Sequence, residues 1–170
     1  LIKYFTENTD YLIGFSEAVD TSTNASKFQQ IDFFMLLCAA RGMVSNRSSW
    51  ACSGQNQGYR KSLFKLVGGF EKISNELQGD DSLFLLLCRK YQNIVVNFAT
   101  SPKSFVISRP ELTWKSLVSQ RIRWAGDSQV FWKFNFPFYI TSISTFITNS
   151  GIVFMLFIYG INVFKNPLYI

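Results

Sequence analysis

NELQGDDSLFLLLCRKY, residues 75–91, sets two adjacent carboxylates, Asp80 and Asp81, directly in front of a run of Leu and Phe. How the run is read decides the fold. As a strand it makes the acids the tip of a hairpin; as a helix it belongs to a mixed α/β chain. The residues after the acids read as a helix over 82–91. An Asp at the start of such a helix is a natural N-cap, and both acids favour the positive end of its dipole. Capping accounts for one Asp but not for two, since like charges side by side oppose each other's ionisation. Gly79, just before them, permits a close backbone approach that a cap does not require. A carboxylate beside an apolar run also suits a general base, although judged alone the capping account is the simpler one.

The flanking segments support the helical reading. YLIGFSEAV (11–19) is a short strand-like run, and KFQQIDFFMLLCAAR (27–41) carries Phe28, Ile31, Met35 and Cys38 at helical spacing, with Gly42 placed to close the helix. SWACSGQNQGYRKSLFKLVGGF (49–70) runs from a short strand into a polar loop and then a brief helix ended by Gly68 and Gly69. NIVVNFA (93–99) and SFVIS (104–108) read as strands, and ELTWKSLVSQRIRWAG (111–126) as a further helix. No repeat, low-complexity tract or linker interrupts this α/β order.

Composition narrows the chemistry. The 170 residues suit one compact domain, 48% hydrophobic and 17% aromatic. The chain opens on Leu1 with no leader-like stretch and ends at Ile170 inside apolar sequence, so it is expected to be a piece of a longer protein. A net charge of +6 suits an anionic partner: nucleic acid, anionic lipid or a phosphorylated substrate. Cys38, Cys52 and Cys88 are widely spaced without a CxxC, and no histidine occurs. A zinc site is therefore not expected, and Ser-His-Asp and Cys-His constellations are excluded within these residues. The cysteines read as small apolar residues of a reduced core, and acid–base chemistry falls to carboxylates.

Phe134 to Phe164 contains no charged residue. Ile140–Phe164 alone would extend about 37 Å as a helix at ~1.5 Å per residue, enough to cross a bilayer. Trp132, Tyr139, Tyr159, Lys133 and Lys165 lie near its ends, where interfacial rings and snorkelling lysines belong. Ser142, Ser144, Thr145, Thr148, Asn149 and Asn162 suggest a face packed on other helices. A buried core helix is the plainer alternative, though such helices rarely run so long without a charge.

SQRIRWAG (119–126) is a second constellation. On a helix Gln120, Arg123 and Trp124 can present towards one side. An amide bonds sugar hydroxyls, a guanidinium forks onto diphosphate oxygens and an indole stacks on a pyranose face. A basic juxtamembrane helix touching lipid headgroups would use the same residues.

Taken in order, CSGQNQGYRKSLFKLVGGF (52–70), GDD (79–81), QRIRW (120–124) and an apolar span resemble the second half of a membrane-integrated family 2 glycosyltransferase. Cellulose, hyaluronan and chitin synthases and many smaller bacterial transferases belong to that superfamily. The likeness covers residues 11–165. It implies part of a GT-A (Rossmann-like) domain over 1–133, including an interfacial QxxRW helix, followed by a transmembrane region over 134–170. It implies a hexosyltransferase of polysaccharide biosynthesis, moving a sugar from a nucleotide-sugar donor to a hydroxyl of a sugar or lipid-linked acceptor. The cytoplasmic face of a bacterial inner membrane is the implied location, with membrane lipid around the span and no nucleic acid. In this likeness Asp81 is the general base when the motif is matched as a block, and Asp80 when Leu83 is matched instead. Gln120, Arg123 and Trp124 contact the donor diphosphate and the acceptor sugar. Ser53, Gly54, Asn56, Arg60, Gly68 and Gly69 line the pocket. A divalent metal, Mg or Mn, is implied with its ligands in a DxD motif upstream, and no DxD occurs in these residues. The piece alone is accordingly expected to be inactive.

Two other readings stand beside this one. GDD also resembles the metal-binding turn of viral RNA polymerases, which sits on a hairpin between strands and would leave QRIRW unexplained. A non-catalytic, membrane-tethered interaction protein or inactive relative would need neither acid.

Overall fold

The computed structural model describes residues 1–19, 22–45, 51–74, 80–91, 93–126, 132 and 136–165. These fall into two units, Leu1–Val130 and Phe131–Ile170.

The first unit is mixed α/β, as the segment order predicts. Its central strand, β1 (Tyr11–Gly14), pairs with β4 (Val96–Ala99) in parallel and with β3 (Gln57–Tyr59) antiparallel. All four β1 residues are buried, and a strand covered on both faces reads as a continuous apolar run rather than an alternating one. A second sheet joins β2 (Ser16–Ala18) to β5 (Val106–Ser108) in parallel. The run 11–19 is thus two strands. Phe15 hands the chain from one sheet to the other, its carbonyl accepting the Val106 N–H at 3.1 Å and the Asn56 side-chain amide at 2.6 Å.

Helix α1 (Asn24–Ser45) starts earlier than the expected Lys27. Thr23 Oγ1 accepts the Ser26 N–H, and Ser26 Oγ accepts the Thr23 N–H, both at 3.1 Å. This reciprocal pair satisfies two donors that a helix start leaves open. The helix also runs through Gly42, which has open space around it, so Gly42 does not close it. Its buried face is Ala25, Gln29, Phe33, Leu37 and Ala40, while Phe28, Ile31 and Met35 are exposed. Residues 31–40 are apolar on nearly every side apart from Asp32. Helical spacing therefore fits several stripes, and the tertiary partner selects one.

In the described part of the 49–70 stretch, the short strand β3 follows the polar loop, while residues 49 and 50 lie outside the described residues. After β3 comes α2 (Lys61–Val67), ended by Gly68 at φ 82° and Gly69 at φ 61°. Their N–H groups donate to Lys65 O at 3.2 Å and Phe64 O at 2.8 Å. Two left-handed positions in succession demand glycine, the usual helix-ending chemistry.

Helix α3 (Asp80–Arg89) is interior from Ser82 to Cys88, as an all-round apolar helix must be. Phe84 is its anchor, with ring centroids of Tyr59 at 4.6 Å, Phe70 at 5.2 Å and Phe64 at 5.6 Å. Helix α4 (Trp114–Gly126) is capped by Thr113, whose Oγ1 accepts the Ser116 N–H at 3.1 Å. Phe15, Phe33 and Leu37 form a second core cluster, against which Cys38, Phe98, Phe105 and Trp124 pack.

In the second unit the described residues include the long helix α5 (Phe136–Lys165). Its 22-residue segment Tyr139–Gly160 has a mean hydropathy of 1.5 with none of the window buried, long and apolar enough to cross a membrane. Thr145 hides its hydroxyl by donating to Thr141 O at 2.8 Å. The closing NPLYI (166–170), whose sequence reads as a break and the start of another span, lies outside the described residues.

Candidate active site

Asp81 lies in the first turn of α3, half-buried at the foot of the loop 52–56. Its Oδ1 accepts the N–H of Ser82 at 2.6 Å, meeting one open donor of the helix start. Its Oδ2 leaves the helix and accepts the Gly54 N–H at 2.7 Å. The carboxylate therefore does what a helix-start acid does and also clasps a loop from a distant part of the chain. Gly54 eases that approach, since a Cβ there would stand 3.2 Å from Oδ2 and the carboxylate would have to give by a few tenths of an ångström. Ser82, which sequence reasoning missed, closes the same junction. Its hydroxyl donates to Cys52 O at 3.3 Å and accepts the Cys52 N–H at 3.4 Å. Asp80 is the first residue of α3; Gly79 lies outside the described residues.

Beneath the loop is a neutral, hydrogen-bonded floor. Tyr11, fully buried, donates its hydroxyl to Gln57 Oε1, and the Cys52 thiol donates to the same oxygen at 3.1 Å. Burial pushes the Tyr11 phenol well above its ordinary value of 10.0, with Cys52 adding to the effect. Burial likewise raises the Cys52 thiol well above its ordinary range, and the Asp81 charge raises it further. Both groups stay protonated, so Asp81 meets no second charge from below.

The other loop residues divide between lining and bracing. Ser53 Oγ accepts the Gln55 N–H at 3.3 Å, shaping the exposed turn that carries Gly54. Asn56 is 3% exposed and spans from Phe15 O to Ser104 O, the latter at 2.9 Å, pinning the loop to both sheets. Arg60 sends its guanidinium to the backbone, with Thr9 O and Thr6 O at 2.7 Å each and Glu7 O at 3.2 Å. Gly68 and Gly69 end α2. Of the expected pocket residues, then, Gly54 is the one that touches Asp81.

The QRIRW motif lies within α4, but its residues do not share one face. Gln120 and Arg123 line a recess of about 390 Å³ with Glu111, Lys115, Ser116 and Ser119. Trp124 turns inward, its ring 5.9 Å from that of Phe33. Arg121 lies over the Trp124 ring at 4.3 Å and pairs with Asp32 of α1. Gln29 of α1, 6% exposed, donates to Gln120 Oε1 at 3.0 Å. Gln29 and Asp32 were available in the sequence as polar residues spaced i, i+3 in an apolar helix, a signal the apolar stripe obscured.

The sequence pattern of the family described as glycosyl transferase family group 2 matches residues 12–169. The chain belongs to that family. No curated protein matches it. Family 2 glycosyltransferases commonly use a divalent metal. Among the described residues, however, no group of three or more His, Cys, Asp or Glu side chains could hold one. These residues do not fit the metal, and no step below passes through it. Asp80 and Asp81 open a helix, whereas the polymerase reading places them on a hairpin between strands.

Proposed function

We propose that this family 2 glycosyltransferase moves a hexose from a nucleotide-sugar donor to an acceptor hydroxyl at the cytoplasmic face of a membrane, with Asp81 as general base. Carboxylate base catalysis needs an oxygen held in place yet open to substrate. The observation that carries the reading is Asp81: half-buried, fixed through Oδ2 by the Gly54 N–H at 2.7 Å, and set beside an exposed loop. As the acceptor oxygen forms its bond to the anomeric carbon, its proton passes to Asp81. The bond from that carbon to the diphosphate oxygen breaks, leaving a nucleoside diphosphate whose charge Arg123 meets in the recess on α4. Ser53 and Gly54 belong to the acceptor side, and Asn56 and Arg60 hold the loop that carries them. The acceptor is a sugar or a lipid-linked sugar, and the same chain carries in α5 a helix long and apolar enough to span a membrane.

The test is release of nucleoside diphosphate by the intact protein in membranes, offered UDP-glucose, UDP-N-acetylglucosamine, GDP-mannose and dTDP-rhamnose in turn. Release from at least one donor is expected. Arg123→Lys should both slow the reaction and weaken donor binding, because an ammonium cannot fork onto a diphosphate. No release from any donor class, in protein that is folded and inserted, would contradict the proposal.

A further inference from the structure

Resting on the reading of Arg123 as the diphosphate-side group, we propose that Gln29 and Asp32 of α1 are positioning residues that set the rotation of α4 and so aim Arg123 into its recess. Gln29 is almost wholly buried and uses both ends of its amide. Its nitrogen donates to Gln120 Oε1 at 3.0 Å, and its oxygen accepts the Glu111 N–H at 2.6 Å. Gln120 closes the ring by donating to Glu111 Oε1 at 3.4 Å. A buried amide satisfied in this way resists displacement, because breaking either bond leaves a polar group unpaired away from water.

Three residues along α1, Asp32 pairs with Arg121, and the next residue, Phe33, meets the ring of Trp124. The Arg121 guanidinium also covers that ring at 4.3 Å, joining the two contacts into one patch. Gln29, Asp32 and Phe33 thus hold Gln120, Arg121 and Trp124, three of the five residues of QRIRW. Successive helix residues point ~100° apart, so fixing these three fixes the direction of the rest. Ile122 and Arg123 are what remains outward and exposed, and Arg123 lines the recess with Lys115 and Ser119. Gln120 is then the handle by which α4 is held, and Arg123 is the hand.

Positioning and mere support differ in a binding experiment. Loss of support lowers the fraction of protein able to bind and leaves Kd unchanged; loss of aim raises Kd in protein that is fully folded. The intact protein is titrated calorimetrically with UDP, GDP and dTDP as probes, and thermal unfolding is followed in parallel. Asp32→Arg, Arg121→Asp and Gln29→Leu should each raise Kd roughly 2- to 30-fold at full stoichiometry. The double swap of Asp32→Arg with Arg121→Asp should recover most of the loss. Gln29→Leu is near in volume and carries no charge reversal, so it decides the matter if a reversed variant fails to fold. Unchanged Kd in folded Gln29→Leu, or a swap that restores stability without affinity, overturns the inference. Arg123→Ala separates the two readings. If it weakens binding while the α1 variants do not, the inference falls and the site reading stands. If it has no effect, or no probe binds the wild type, the site reading falls and takes the inference with it.

Discussion

Gly54 is held to its identity by a residue 27 positions later, and the dependence runs both ways. A methyl group there would stand 3.2 Å from Asp81 Oδ2 and push the carboxylate by a few tenths of an ångström. Gly54→Ala is therefore expected to slow transfer roughly 10-fold with little loss of stability, because small misplacements at a reacting group are costly. Steady-state kinetics alongside a melting curve check this. The floor below makes a separate prediction. Tyr11 and Cys52 are held protonated by burial, and burial also raises the Cys88 thiol to about 12. The folded state keeps these protons at pH values where the unfolded chain has lost them, so their contribution is intact below the ordinary thiol value of 9.0 and is lost as pH rises above it. The melting temperature should fall as pH rises above about 9, and alkylation of the buried Cys88 should wait for unfolding. A flat stability profile over that range would contradict the buried floor. At this scale residue type and local pattern singled out Asp80, Asp81 and Arg123 as candidates. Ser82, whose partner lies 30 positions away, gave no local signal, and the polar pair Gln29 and Asp32 was obscured by the apolar stripe around it.

Helix α3 shows how burial and chemistry share one element. Its apolar residues fill the core on every side, and that immobility gives the acid in its first turn a fixed position. Phe84, in contact with four other aromatic rings, should be the costliest truncation. Phe84→Ala is expected to destabilise by about 3–5 kcal/mol, seen as a loss of the cooperative thermal transition or a large drop in its midpoint. An unchanged midpoint would mean that α3 is not the core helix described. Elements whose pattern is one-sided or unbroken, namely α3, α4 and α5, could be read from sequence alone. The buried face of α1 could not, because Phe28, Ile31 and Met35 compete with Ala25, Phe33 and Leu37 for the same helical period. Nor could the break at Phe15, which arises from the long-range partners Asn56 and Val106.

Across the whole molecule, an α/β unit and an apolar helix of membrane-spanning length lie in one chain. Nucleotide sugars as cytosolic donors and the basic residues Arg121, Arg123 and Lys133 ahead of the span place the α/β unit on the cytoplasmic side in the proposed arrangement. Lys103 is exposed; in Lys103→Cys protein, an impermeant thiol reagent should label broken cells and spare intact ones, and labelling of intact cells would reverse the topology. The general-base role of Asp81 is the central claim, and one comparison tests it most directly: turnover of Asp81→Asn beside Asp80→Asn in the intact, membrane-inserted protein. Asn keeps the shape and remains a good helix-start residue but cannot take a proton. Asp81→Asn should therefore lower turnover roughly 10²- to 10⁴-fold with donor affinity nearly unchanged, and Asp80→Asn should retain most activity. Near wild-type turnover in folded Asp81→Asn would contradict the account, leaving Asp81 as a clasp between helix and loop and nothing more.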